Sequence, residues 1–134
     1  MIRMTTSDDL ELDLYLRELG EQRFVNHEMG VDRSGPNVVG FVREWSGGTA
    51  DVVVLYDHRR ACAWRTEAGP GADVFAPELV SWFYQHVPVW TLRAMLALPP
   101  PGDPEEPRWL SPLPDGWGVA KDGRLDMRVR MRPR

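Results

Sequence analysis

The clearest organisation of apolar and polar positions lies between Val38 and Thr66. Val38–Trp45, Asp51–Tyr56 and Ala61–Thr66 read as three strands, joined by the turns Ser46-Gly47-Gly48-Thr49 and Asp57-His58-Arg59-Arg60. The middle strand carries Val52, Val53, Val54, Leu55 and Tyr56 without a polar interruption, which predicts cover on both of its faces. The first strand places Val39, Phe41 and Trp45 on one side. The third places Cys62 and Trp64 on one side and Ala61 and Ala63 on the other. A three-strand antiparallel meander is the centre of the expected fold.

Outside the meander the pattern is more divided. Residues 7–19 carry Ser7 as an N-cap, Asp8 and Asp9 at the positive end of the helix dipole and Gly20 as a stop, which predicts a helix. Within it Leu10, Leu12, Leu14 and Leu16 alternate as in a strand, but the caps and helix formers outweigh that. Residues 23–28 are too short to assign, and Gly30 to Asn37 reads as a loop around Gly35-Pro36. Glu67 to Ala76 is a connection. Pro77-Glu78 then opens a predicted helix in which Leu79, Val80, Phe83 and Val87 share a face. After Pro88, Trp90–Leu98 carries both periods, and propensity favours helix. Pro99 to Pro114 holds seven of the 12 prolines, so it is expected to be extended or irregular. Gly116–Lys121 and Arg124–Met131, around Asp122-Gly123, predict a C-terminal hairpin that joins the main sheet.

The expectation is one α+β domain over residues 1–134, with a proline-rich loop at 99–114. Its core is an antiparallel sheet of about five strands, the meander plus the hairpin, with helices packed on one face. A chain of 134 residues buries on the order of two-thirds of its unfolded surface, so such a core needs no covalent staple.

Composition narrows the function classes. Cys62 is the only cysteine, which excludes an intrachain disulfide and a thiolate metal cluster. The first residues lack the apolar run of a signal peptide, and no stretch approaches the roughly 20 apolar residues that span a bilayer; the expected location is the cytoplasm, without a membrane partner. A net charge of −4 argues against nucleic acid held by the overall field. The 15 arginines against one lysine look like codon bias, so arginine is discounted as a signal. Six tryptophans are harder to dismiss.

Catalytic templates are missing: no phosphate loop, His-Glu-x-x-His, Cys-x-x-Cys, calcium ladder or Gly-x-Ser-x-Gly elbow. Nothing in the residues resembles a named family. Candidate chemistry is therefore sparse. Asp57 and His58 pair a carboxylate with an imidazole, as a general base requires, and Arg59-Arg60 beside them can grip an anion. Against this, an exposed turn collects Asp and charge for structural reasons. His86, at the end of the predicted helix, is a further catalytic candidate, although a helix-end imidazole also complements the dipole. His27 and Glu28 would need Asp57 and His58 beside them to hold a metal, and no spacing demands it; no metal or cofactor is expected. Trp64, Trp82, Tyr84 and Trp90 would line an apolar ligand pocket if the helices leave a gap over the sheet, or would simply fill the core. Trp109 and Trp117 flank the proline segment and either hold it down or offer a patch to a partner. Arg128, Arg130, Arg132 and Arg134 form the one basic stripe, which reads first as a charged strand that resists aggregation.

The leading expectation is a non-enzymatic binding or regulatory protein acting through protein contacts, with a protein partner or a second copy of itself. The alternative is a small enzyme or ligand-binding protein with an aromatic-lined pocket for an apolar small molecule. Weak nucleic-acid contact through the C-terminal arginines ranks last.

Overall fold

The fold is taken from a computed structural model, which describes residues 7–30 and 38–119. The order of elements is α1 (Ser7–Glu21), β1 (Val25–Met29), β2 (Val38–Glu44), β3 (Thr49–Leu55), β4 (Ala61–Glu67), β5 (Leu79–Val80), β6 (Trp82–His86), α2 (Pro88–Ala97) and β7 (Ser111–Pro112). Five strands form one antiparallel sheet in the order β1-β2-β3-β4-β6, and β5 pairs with β7 in a second, two-stranded sheet. The class is the expected α+β. The meander β2-β3-β4 is its centre, with Phe41 opposite Val53 and Val53 opposite Ala63.

The outer strands differ from expectation. The sheet is completed by β1 and β6; the C-terminal hairpin at 116–131 falls largely outside the described residues. The helix expected from Pro77 is absent: Leu79–Val80 and Trp82–His86 are strands. Strand β4, buried on both faces, has a second edge whose backbone groups need partners, and β6 provides them, with Ala63 opposite Tyr84. Trp82, Phe83 and Tyr84 also suit a pleated surface, so the helical spacing of Leu79, Val80, Phe83 and Val87 was a coincidence overridden by pairing.

Each face of the sheet has its own core. On one side Val53 and Ala63 pack with Leu19, Phe24, Leu92 and Met95, which brings both helices to that face. Leu12, Tyr15, Leu16 and Leu19 are the inward residues of α1, at helical spacing, whereas Leu10 and Leu14 are exposed. The leucine alternation thus dissolves into an inner and an outer face. Among the described residues no helix covers the other side of the sheet. Val52, Val54, Cys62 and Trp64 are covered by the chain around Val74–Val80 and by Leu113, Trp117 and Val119. That cover lies close: a Cβ on Gly40 would come within 2.5 Å of the Phe75 ring, so β2 needs glycine there.

Helix α2 begins with Pro88 after Val87, and Thr91 Oγ1 donates toward the His86 and Val87 carbonyls at 3.1 and 3.0 Å. It stops before Pro99-Pro100-Pro101, where the missing N–H groups end the hydrogen-bond ladder. Helix α1 runs one residue beyond Gly20, and Arg23 takes the left-handed conformation (φ 69°) that turns the chain into β1.

Candidate functional site

Three polar or aromatic assemblies stand out, and only one is deeply buried. On the helix-bearing face Arg43, Asp51 and Arg65 lie side by side on β2, β3 and β4. Asp51 is wholly buried. Its carboxylate accepts from Arg65 Nε at 2.6 Å and Arg65 Nη2 at 3.0 Å, a forked pair. Oδ2 also accepts from Arg43 Nη2 at 3.2 Å and Trp45 Nε1 at 2.8 Å. The two guanidiniums reach on to the helices. Arg65 Nη1 donates to the Pro99 carbonyl just past α2, at 2.7 Å, and Arg43 Nη1 donates to Gln22 Oε1 just past α1, at 2.8 Å. Arg43 Nε has no hydrogen-bond partner among the described residues, but the guanidinium lies over the Phe24 and Trp45 rings at 4.6 and 4.3 Å. Asp51 and Arg65 are buried, and their polar atoms are taken up within the network. It is a tie that fixes both helix ends to the sheet, and the sequence reading missed it because Asp51 looked like a strand-opening residue.

The second assembly lies along β6 and the start of α2. Trp82, Tyr84 and His86 occupy alternate positions on one face, so their rings repeat along the strand. Trp82 and Tyr84 are 6.1 Å apart and nearly parallel (4°); Tyr84 and His86 are 6.2 Å apart at 16°. Trp90 meets His86 edge-on at 6.2 Å, and Arg93 lies 5.1 Å over the Trp90 ring. Three of the four aromatics singled out in the sequence therefore come together, with His86 among them. Trp64 does not join them: it is wholly buried on the opposite face, where Nε1 donates to the Val74 carbonyl at 2.9 Å.

The third assembly surrounds the β3–β4 turn. Asp57 and His58 are exposed there, and Asp57 Oδ1 accepts from the Arg59 backbone N–H at 2.7 Å, which is the local bond of a turn-forming aspartate. Arg59, Arg60, Gln85, His86 and Trp117 line an open concavity of about 470 Å³. The Arg60 guanidinium is held over the Tyr56 ring at 4.7 Å and the Trp117 ring at 4.3 Å. Beneath it Tyr56 OH and Cys62 Sγ are 3.7 Å apart. Burial pushes the Cys62 thiol up to about 12, against smaller lowering effects of the Tyr56 hydrogen bond and the Arg60 charge. Burial likewise holds the Tyr56 phenol above its ordinary value. Cys62 is thus a neutral thiol, not a nucleophile.

The remaining candidates are placed separately. His27 lies on edge strand β1, 5.4 Å from the Phe75 ring, and away from the β3–β4 turn in the strand order. No group of three or more His, Cys, Asp or Glu among the described residues is arranged to hold a metal. Trp117 is buried against Tyr56 and Phe83, whereas Trp109 is 89% exposed. Leu110, next to Trp109 in the chain, and Leu79 are about half-exposed. Leu110 borders two adjoining grooves of about 300 and 220 Å³, which also share Thr66 and Glu67, and Leu79 borders the larger. Glu67, Asp73, Glu78 and Glu106 line these grooves, against the exposed Arg108. Sequence reasoning named Trp109 but not Leu79 or Leu110, because their meeting depends on the β5–β7 pairing across the proline segment. Arg128, Arg130, Arg132 and Arg134 lie outside the described residues.

No helix among the described residues is long and apolar enough to cross a membrane. Comparisons with protein-family models, curated proteins and solved structures gave no match. The functional reading therefore rests on the site geometry.

Proposed function

We propose that this chain is a non-enzymatic binding module that acts through protein contacts, and that its docking surface is the pair of grooves beside Trp109. The observation that carries this is the exposure of Trp109, at 89%, next in the chain to half-exposed Leu110, which lines both grooves. A tryptophan is a costly residue to leave in water, and in partner interfaces it is the residue type that contributes most when buried. The acidic rim of the larger groove, Glu67, Asp73 and Glu78, selects the partner's chemistry: a segment with an apolar anchor beside lysine or arginine. The histidines support no comparable reading as catalysts. His27 and His58 stand on open surface, and His86 is exposed at the open concavity beside the β3–β4 turn.

Native mass spectrometry of the protein from its own host, compared between wild type and Trp109→Ala, tests this. The expected result is a co-purifying protein, or a second copy of the chain, that is lost from the variant. With the partner in hand, its affinity for Trp109→Ala should fall at least about thirty-fold, the effect of a central anchor. Retention of the same partner by the variant, or a wild type that carries none, would remove the reading.

A further inference from the structure

We propose that the concavity at the β3–β4 turn is an anion site that takes the phosphate of a phosphorylated small molecule. It is independent of the groove beside Trp109. Every polar side chain among the described residues that line it is able to donate: Arg59, Arg60, Gln85 and His86. No carboxylate is among the described lining residues, in a chain whose net charge is −4. The nearby Asp57 carboxylate bonds to the Arg59 backbone N–H, and no ion pair joins it to either guanidinium among the described residues.

Arg60 is pre-organised. Its guanidinium is held against the Tyr56 and Trp117 rings and makes one long hydrogen bond, 3.4 Å, to the Gly116 carbonyl. Most of its N–H groups therefore keep their donor capacity, in a planar fork matched to phosphate oxygens. His86 Nδ1 accepts from the Val87 N–H at 2.9 Å, which leaves Nε2 as the proton-bearing donor. The concavity of about 470 Å³ is large enough for more than a free phosphate, and His86 is also the end of the ring series Trp82–Tyr84–His86. A ligand with a planar ring beside its phosphate would use both features.

Calorimetric titration at low ionic strength, with inorganic phosphate in one arm and AMP in the other, tests the site. The expected result is saturable one-to-one binding of phosphate by the wild type. Arg59→Glu, at an exposed position, should weaken it about ten-fold through loss of a charged donor. His86→Gln and Arg60→Lys should weaken it less, and Arg17→Glu, the same charge change on α1, should leave it unchanged. Tighter binding of AMP than of phosphate identifies a ring-bearing ester as the ligand class; equal binding assigns recognition to the phosphate alone, and either supports the site. Absence of saturable binding by the wild type overturns it. So does equal weakening by Arg17→Glu, which would assign the binding to the general field of the protein.

Discussion

Arg65 and Arg60 stand at opposite ends of the same strand region, and their guanidiniums are used in opposite ways. Arg65 is buried in a forked pair with Asp51, and its remaining reach ends on the Pro99 carbonyl. Arg60 has aromatic rings beneath it and no carboxylate partner among the described residues. The first ties the end of α2 to the sheet, and the second faces an open concavity. What separates them is whether a buried carboxylate saturates the guanidinium, which the residue type alone does not reveal. The same contrast holds for the acids: Asp51 neutralises arginines inside the protein, while Glu67, Asp73 and Glu78 line the larger groove outside it.

The largest effect that would test this contrast is removal of the Asp51 carboxylate. Asp51→Ala leaves two inward-facing guanidiniums uncompensated and should cost about 3–5 kcal/mol, read as the shift in a denaturant unfolding curve. A loss below about 1 kcal/mol would mean that water or backbone carbonyls already satisfy Arg65, and the tie would be no tie.

Alkaline pH probes the other end of the strand. The folded state holds the Cys62 thiol neutral up to about 12, above its ordinary value of 9.0, whereas the unfolded chain ionises it at the ordinary value. The stabilisation is thus fully present below pH 9 and is lost as pH rises toward 12. Tyr56, raised in the same direction, adds to this. Unfolding free energy should fall by about 1–2 kcal/mol between roughly pH 8 and pH 10, and Cys62→Ala should flatten the slope. An unchanged slope in that variant would show that the thiol is not the group responsible.

Arg60→Ala removes the cover over Tyr56 and Trp117 and should cost about 1 kcal/mol in the same assay, well short of Asp51→Ala. Equal losses would erase the distinction between the two ends of the strand. The smallest expected effects are those of Arg59→Glu and Trp109→Ala on stability, each within about 0.5 kcal/mol because both side chains project into solvent. A larger loss in either would assign the residue to the fold and weaken the binding role given to it here.

The pattern along the chain determined the meander and the α+β class, and its caps favoured helix α1; for α2 both periods were present and propensity alone favoured helix. The former follow from local information: uninterrupted valines demand two-sided cover, and a segment with matching caps and good helix formers favours a helix. The segment from Pro77 to Val87 had no such local solution. Its side chains fit a helix face and a strand face alike, and the unsatisfied edge of β4, distant in sequence, decided for strand. The candidate sites divide in the same way. Exposed Trp109 and the Asp57–Arg60 turn could be singled out from residue type and position. Their surroundings could not: Leu79 reaches Leu110 only because β5 pairs with β7, and His86 joins Arg59 and Arg60 only because β6 lies beside β4. Burial, charge pairing and concavity are properties of residues brought together from different elements, so the tertiary structure alone decided which arginine became a strut and which was left facing solvent.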